Sequence, residues 1–448
     1  MLAAGVVSFA LMLSLVTPAL PTIRDELGTS HAGVTRVLTA YLLSASIFTP
    51  IVGRLGDRYG KKRFLVIVLV ALALGSLAAA LATTLPFMIL ARVIQGIGGG
   101  VLPLAFGIIR DEFPPDEVGG AVGFIAALTA SGAGLGLVLA GPIFSTLSYR
   151  WLFVIPMVVV VAAAVAAQVF IPESAERASD SISVGAALAM SGWLVALLVA
   201  IDVAPQRGWT SVSVIGLLLV ALVLCTLWIL IETRSDSPLI DIRIMAARQV
   251  WATNLVALLF GVALYALMST LPAFLQTARD HGYGFGASVT HSGVMLLPQS
   301  VFVFLAGSSV GRLARTFGYR AILVAGTVIS FSALVTLALA HTHQWHIFLV
   351  TCSTGVGFGL AFASMSSIVV RSVPRHRTGM AGGVNANIRT IGGSLGASIV
   401  ASVVAADVDP SGVPAESGYT VGFLVLAGAM LLSVFAALAI PRGPRAIT

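Results

Sequence analysis

Charge is scarce in this chain: Asp, Glu, Lys and Arg make up 10% of its 448 residues, against 58% hydrophobic residues. Soluble domains carry about 25% charged residues, so a water-soluble enzyme or binding module is excluded as the main architecture. Cysteine is scarcer. Cys225 and Cys352 both lie inside apolar runs and form no spacing motif, which excludes a disulfide framework and a thiolate zinc centre and leaves them as small core residues. Lysine occurs only at positions 61 and 62 among 25 Lys and Arg residues. An arginine-biased, Ala- and Gly-rich composition of this kind points to a GC-rich bacterial genome. Also missing is a charged segment ahead of the first apolar run. That run therefore reads as a true first helix rather than a secretory signal, which needs a basic n-region.

What the chain has is long apolar runs. Fourteen are present, at about 2–21, 34–52, 64–83, 87–109, 120–144, 152–171, 185–203, 212–231, 251–275, 289–310, 321–340, 346–369, 382–406 and 419–440. Each is close to the ~20 residues that a helix needs to cross a bilayer. The intervening loops are short. The polar stretch IPESAERASDSIS (171–183) and the mixed stretch ETRSDSPLIDIRIMAAR (232–248) stand out as linkers, the second with apolar faces suited to lie along a membrane surface.

The loop after the second run reads GRLGDRYGKKR, Gly53 to Arg63, and holds Arg54, Arg58, Lys61, Lys62 and Arg63 within ten positions. Basic residues near span ends resist translocation, so this loop is expected on the cytoplasmic face and both termini with it. Under that topology 18 Lys and Arg are cytoplasmic, five are outside (Arg24, Arg36, Arg150, Arg207, Arg279) and two lie within spans (Arg92, Arg389). Positive-inside bias thus accounts for the formal charge of +7, and no nucleic-acid partner is expected. The loop returns as GRLARTFGYR at Gly311 to Arg320, 258 residues on, with Arg315 where Asp57 stood. The chain contains an internal repeat.

Gly53, Asp57, Arg58, Gly60 and the run Lys61, Lys62, Arg63 resemble the loop signature of the major facilitator superfamily. Six helices with loops need about 200 residues, and the excess fits one more helix pair, as in the fourteen-helix drug:proton antiporter branch. The resemblance implies an all-α integral membrane protein with the major-facilitator fold. Its expected parts are a six-helix bundle over 1–171, a cytoplasmic linker over 172–184, an inserted helix pair over 185–231, a second linker over 232–250 and a second six-helix bundle over 251–448. Alternating access with a site near the midplane is the implied mechanism.

The resemblance also assigns roles. Asp57 becomes a latch at the cytoplasmic gate rather than a solvated loop acid, with Arg110 as candidate partner and Asp111 and Glu112 beside it in IIRDEF. Arg92 and Gln95 in RVIQGIGGG match Arg-x-x-Gln-Gly and take a coupling role, against the plainer reading of an arginine snorkelling to the outer interface. Gly132, Gly134, Gly136 and Gly141 with Pro142 resemble the fifth-helix antiporter signature and read as a helix-packing motif, although Leu137 and Ala140 depart from it. Asn385, Asn387 and Arg389 either line the substrate path or bind helices together.

Where the branch carries a first-helix aspartate, this chain has Met12, and none of its 18 acids falls securely in mid-span. A proton antiporter then has Asp57, Asp111, Glu112, Asp202 or a histidine to work with. With Arg92 and Arg389 but no carboxylate at depth, a neutral or anionic amphiphile is the expected substrate, and the proton the expected coupling ion. A proton-independent facilitator or a lipid or metabolite transporter is the alternative. His341, His343 and His346 in THTHQWH match no strong ligand spacing, and no metal or cofactor is expected. No catalytic constellation lies at membrane depth, so no enzymatic activity is expected. The expected location is the bacterial cell membrane.

Overall fold

A computed structural model describes residues 1–174, 183–235, 238–407 and 413–441. Within its helices the side chains at 13, 18, 21, 31, 32, 35, 137, 141, 144, 145 and 289 lie outside that description. The chain is a succession of helices: α1 Leu2–Ser14, α2 Leu20–Glu26, α3 His31–Tyr59, α4 Lys61–Ala80, α5 Leu85–Gly96, α6 Val101–Glu112, α7 Val118–Thr146 and α8 Trp151–Phe170. After them come α9 Val184–Arg207, α10 Val212–Arg234, the short α11 Ile242–Met245, α12 Arg248–Gln276, α13 Val289–Phe317, α14 Tyr319–Leu339, α15 Gln344–Arg371, α16 Thr378–Ala405 and α17 Glu416–Ala439.

Among the described residues thirteen helical stretches are long and apolar enough to cross a membrane, and the shorter apolar helix Leu2–Met12 precedes them. The first run, read as one span over 2–21, is broken. A 3-10 turn, Thr17–Ala19, separates α1 from α2, because Pro18 and Pro21 cannot donate the backbone bonds that a continuous helix needs. The fourth span also carries a 3-10 turn, Ile97–Gly100, between α5 and α6. Its glycines let α3 approach closely: a Cβ on Gly99 or Gly100 would overlap Thr49 or Val52.

Helices α1 to α8 pack as one half and α12 to α17 as the other; the halves meet where α3 and α6 pack on α16 and where α7 packs on α13 and α15. We call the end carrying Gly53–Arg63 and Gly311–Arg320 the basic end. The two copies of the loop are built alike there: Gly60 and Gly318, at φ +118° and +77°, end α3 and α13 in a conformation that L side chains rarely adopt. Helix α9 packs on α3 and α16, and α10 packs on α9. The outer surface of α10 is left to hydrocarbon, with Val212, Leu219, Leu222 and Val223 exposed.

At the basic end two arginines close the last helix. Arg320 donates to the carbonyl of Leu438 at 2.7 Å and Arg248 to that of Ala439 at 3.1 Å, satisfying acceptors that a helix C-terminus otherwise leaves open. Replacing both with alanine is expected to lower the thermal midpoint of the purified protein by about 2 °C. An unchanged midpoint would show that water replaces them without loss.

Candidate functional site

The basic end is held by groups that cross between the halves. Asp57 sits in the last turn of α3, only 1% exposed. Its carboxylate accepts the backbone N–H of Gly379 at 3.2 Å and of Met380 at 3.0 Å. These are orphan donors of the first turn of α16, where the helix dipole favours an anion. One turn back, a Cβ on Gly53 would overlap the carbonyl of Gly379, so glycine is what lets the two backbones touch. Arg110, at the end of α6, reaches the same corner, donating to Thr378 Oγ1 at 3.0 Å and to the carbonyl of Val370. Asp57 and Arg110 thus converge on one helix start from different elements.

The neighbours of Arg110 part company with it. Asp111 accepts from Lys61 Nζ at 2.8 Å, inside its own half, and Glu112 is exposed. Successive residues on a helix point about 100° apart, so IIRDEF does not deliver three charges to one place. Arg58 lies over the ring of Tyr59, 4.8 Å from its centroid. Arg54 is buried, 1% exposed, within electrostatic reach of both Asp57 and Glu232.

The second seam is built without an acid at the matching place. A Cβ on Gly311 would collide with Gly120, Ser367 Oγ donates to the carbonyl of Gly119 at 2.7 Å, and Arg371 lies over the ring of Tyr319 at 5.5 Å. The fifth-helix glycines divide between partners. Gly132 and Gly136 face Ala10 and Ser14 of α1, whereas Gly134 faces Ser300 of α13. Pro142 is exposed within α7; the surroundings of Gly141 lie outside the described residues.

Deeper in the first half, Arg92 is 0% exposed. Its Nε donates to the carbonyl of Val37 (3.2 Å), its Nη1 to Gln95 Oε1 (2.8 Å) and to the carbonyl of Met12 (3.4 Å). Its guanidinium lies 4.2 Å from the ring centroid of Tyr41, a cation–π geometry. Gln95 continues to Ser76 Oγ at 2.8 Å, and Ser76 donates to Met12 Sδ at 3.3 Å. Met12 therefore joins this network, with its sulfur at Ser76 and its carbonyl at Arg92. In the other half Arg389 lies 4.3 Å from the ring centroid of Phe362 and is hydrogen-bonded to Tyr265. Asn385 donates to Asn254 Oδ1 at 2.9 Å. Among the described residues Arg92 Nη2, Asn387 Oδ1 and Ser46 Oγ are buried polar atoms without a hydrogen-bond partner.

The buried acids among the described residues are Asp57 and Glu232, both towards the basic end. Asp202, on α9, is exposed and accepts from Thr39 Oγ1 at 3.3 Å. Three histidines serve helix ends: His341 pairs with Glu416 at 2.8 Å, while His343 and His346 cap α15. Among the described residues no three His, Cys, Asp or Glu side chains gather as a metal site. Sequence reasoning missed Arg54, Tyr41, Tyr265, Glu173 and Glu232. Glu173 accepts the N–H groups of Lys62 and Arg63 at 3.2 Å each, capping α4 from more than a hundred residues away, a distance across which no local pattern speaks.

Two helical halves meeting along glycine-lined seams, with buried polar groups between them, define a polytopic membrane transport protein. The Major Facilitator Superfamily profile matches residues 2–397, and the chain belongs to that superfamily. It is 28% identical over 402 residues to Multidrug resistance protein 3 of Bacillus subtilis (strain 168), covering 88% of this chain and 76% of that one. It is 26% identical over 403 residues to the Tetracenomycin C resistance and export protein of Streptomyces glaucescens, covering 88% and 73%. Multidrug resistance protein Stp of Mycobacterium tuberculosis (strain CDC 1551 / Oshkosh) is 28% identical over 401 residues, covering 88% and 74%. In fold the chain is similar to the crystal structure of the human organic anion transporter MFSD10 (TETRAN), with a TM-score of 0.69 at 17% identity over 97% of each chain.

Proposed function

We propose that the protein exports amphiphilic small molecules across a bacterial cell membrane by alternating access, driven by the proton gradient. The basic end and both termini lie in the cytoplasm. The halves 1–171 and 251–448 rock about the site between them, and the pair 185–231 joins them through the linkers 172–184 and 232–250. The observation that carries this reading is the Asp57 contact. One buried carboxylate of the first half caps a helix of the second, a connection that holds in one conformation and breaks in the other. Relatives named for multidrug resistance and for tetracenomycin C export support the substrate class.

The lining at depth sets the preferred charge. Arg92 and Arg389 are buried, and no buried acid stands beside either among the described residues, so electrostatic complementarity favours neutral or anionic amphiphiles over dications. In proteoliposomes a matched panel of neutral, anionic and dicationic dyes is expected to show export of the first two at least about tenfold faster than of the third. Equal export of lipophilic dications would overturn the charge assignment. For the proton, Asp57 and Asp202 are the carboxylates best placed. Met12 at the position facing Arg92 and Gln95 favours a second reading, a proton-independent facilitator or a lipid or metabolite transporter, which differs in its indifference to a pH gradient.

A further inference from the structure

The inserted helix pair touches the gate at two points that the transport cycle described above does not use. Glu232, at the end of α10, is 3% exposed. Its carboxylate accepts the backbone N–H of Leu239 at 2.8 Å and of Ile240 at 3.1 Å, and the indole N–H of Trp228 at 3.1 Å. Trp228 packs on Trp193 of α9, ring centroids 6.0 Å apart, so Glu232 is tied to both helices of the pair. Arg54, one turn before Asp57 on α3, lies within electrostatic reach of it. Leu239 and Ile240, which it holds, share an apolar cluster with Ile51 of α3 and with Met380, whose N–H Asp57 caps.

On the other side of the same connection, Asp241 accepts the N–H groups of Arg243 and Ile244 to start α11 and pairs with Arg377. Arg377 immediately precedes α16. The acids that bracket the connection from α10 to α11 therefore engage the two sides of the gate, Glu232 through the Leu239–Ile240 cluster on α3 and Asp241 directly at the foot of α16. Both partners are at least partly buried, where a charge pair is screened less than at a free surface.

We propose that Glu232 and Asp241 form a second latch, through which the inserted helix pair holds the basic end closed in parallel with Asp57. The pair is then a regulator of the gate as well as a spacer between the halves: any force that shifts α10 against α3 loosens the Leu239–Ile240 segment, which Glu232 holds, from Ile51 and Met380 and so releases α16. This rests on the alternating-access reading, since a latch needs a gate that opens.

The test uses the full chain in lipid nanodiscs, with Cys225 and Cys352 replaced by alanine and spin labels on Arg63→Cys and Thr316→Cys. Both label positions are exposed at the basic end, one in each half. Pulsed-EPR distance distributions are compared for the parent, Asp57→Asn, Glu232→Gln, Asp241→Asn and Arg377→Gln. Asparagine at 241 keeps the helix cap and removes only the charge. Glu232→Gln and Asp241→Asn are each expected to raise the long-distance population about tenfold. Asp241→Asn with Arg377→Gln should do no more than either alone, because one pair is broken once. Arg377→Gln reads the pair from the α16 side should Asp241→Asn not fold. Parental distributions in Glu232→Gln and Asp241→Asn beside an opened Asp57→Asn overturn the second latch and leave the gate standing. Parental distributions in all three overturn the latch together with the reading on which it rests.

Discussion

Asp57→Ala is expected to cut export to below about 5% of the parent rate while the protein still folds and inserts. The carboxylate has two tasks, capping α16 through Gly379 and Met380 and answering the buried charges of Arg54 and Lys61. Removing one member of a buried, hydrogen-bonded charge group costs about 3–5 kcal/mol. The lower figure applies here, because Lys61 keeps Asp111 and Arg54 stays within electrostatic reach of Glu232. About 3 kcal/mol is more than a hundredfold in an equilibrium constant, enough to leave the basic end open for most of the cycle and stall the return step. Asp57→Asn retains the shape and one acceptor, so an intermediate rate is expected. Retention of more than half the parent rate in Asp57→Ala would show that the cap is structural decoration.

Arg92→Met is expected to give the opposite pairing of effects, a stable protein that does not transport. The guanidinium is wholly buried, and its acceptors are two backbone carbonyls, Gln95 and the face of Tyr41, with no carboxylate among them. A buried ion carries a desolvation cost of several kcal/mol that neutral acceptors offset only in part. An apolar side chain of similar length is therefore expected to raise the thermal midpoint by about 2–4 °C. Export is expected to fall at least about a hundredfold, since a charge kept at such cost in the interior of a span marks a functional position. A lowered midpoint with partial activity would make Arg92 a packing residue. Met12→Asp is the converse change: it brings a carboxylate to the Arg92–Gln95–Ser76 network and should steepen the pH dependence of flux.

Much of this was legible in the sequence because hydrocarbon imposes a simple demand. Apolar runs of about 20 residues are needed to span, and they are countable in the chain. The loop Gly53 to Arg63 and its copy at Gly311 to Arg320 announced the repeat, and the structure gives both copies the same glycine-ended helix. The break in the first run has its sign in Pro18 and Pro21, yet by hydropathy the run counts as one span, since hydropathy does not register a missing N–H. Contacts between distant residues were not legible. IIRDEF looks like one charge cluster, yet helix rotation sends Arg110 to α16 and Asp111 to Lys61. Glu173 and Glu232 sit at the ends of apolar runs, where a solvated acid is the ordinary expectation, and only the packed chain shows what they hold. The partner that Met12 faces was likewise hidden until α1, α4 and α5 came together.

The measurement that tests the central claim most directly is flux of a fluorescent neutral amphiphile in proteoliposomes with and without an imposed proton gradient. Export by proton-coupled alternating access predicts acceleration by the gradient, lost in Asp57→Asn. Flux indifferent to the gradient in the parent protein would contradict antiport and identify a facilitator, with Met12 as the physical reason.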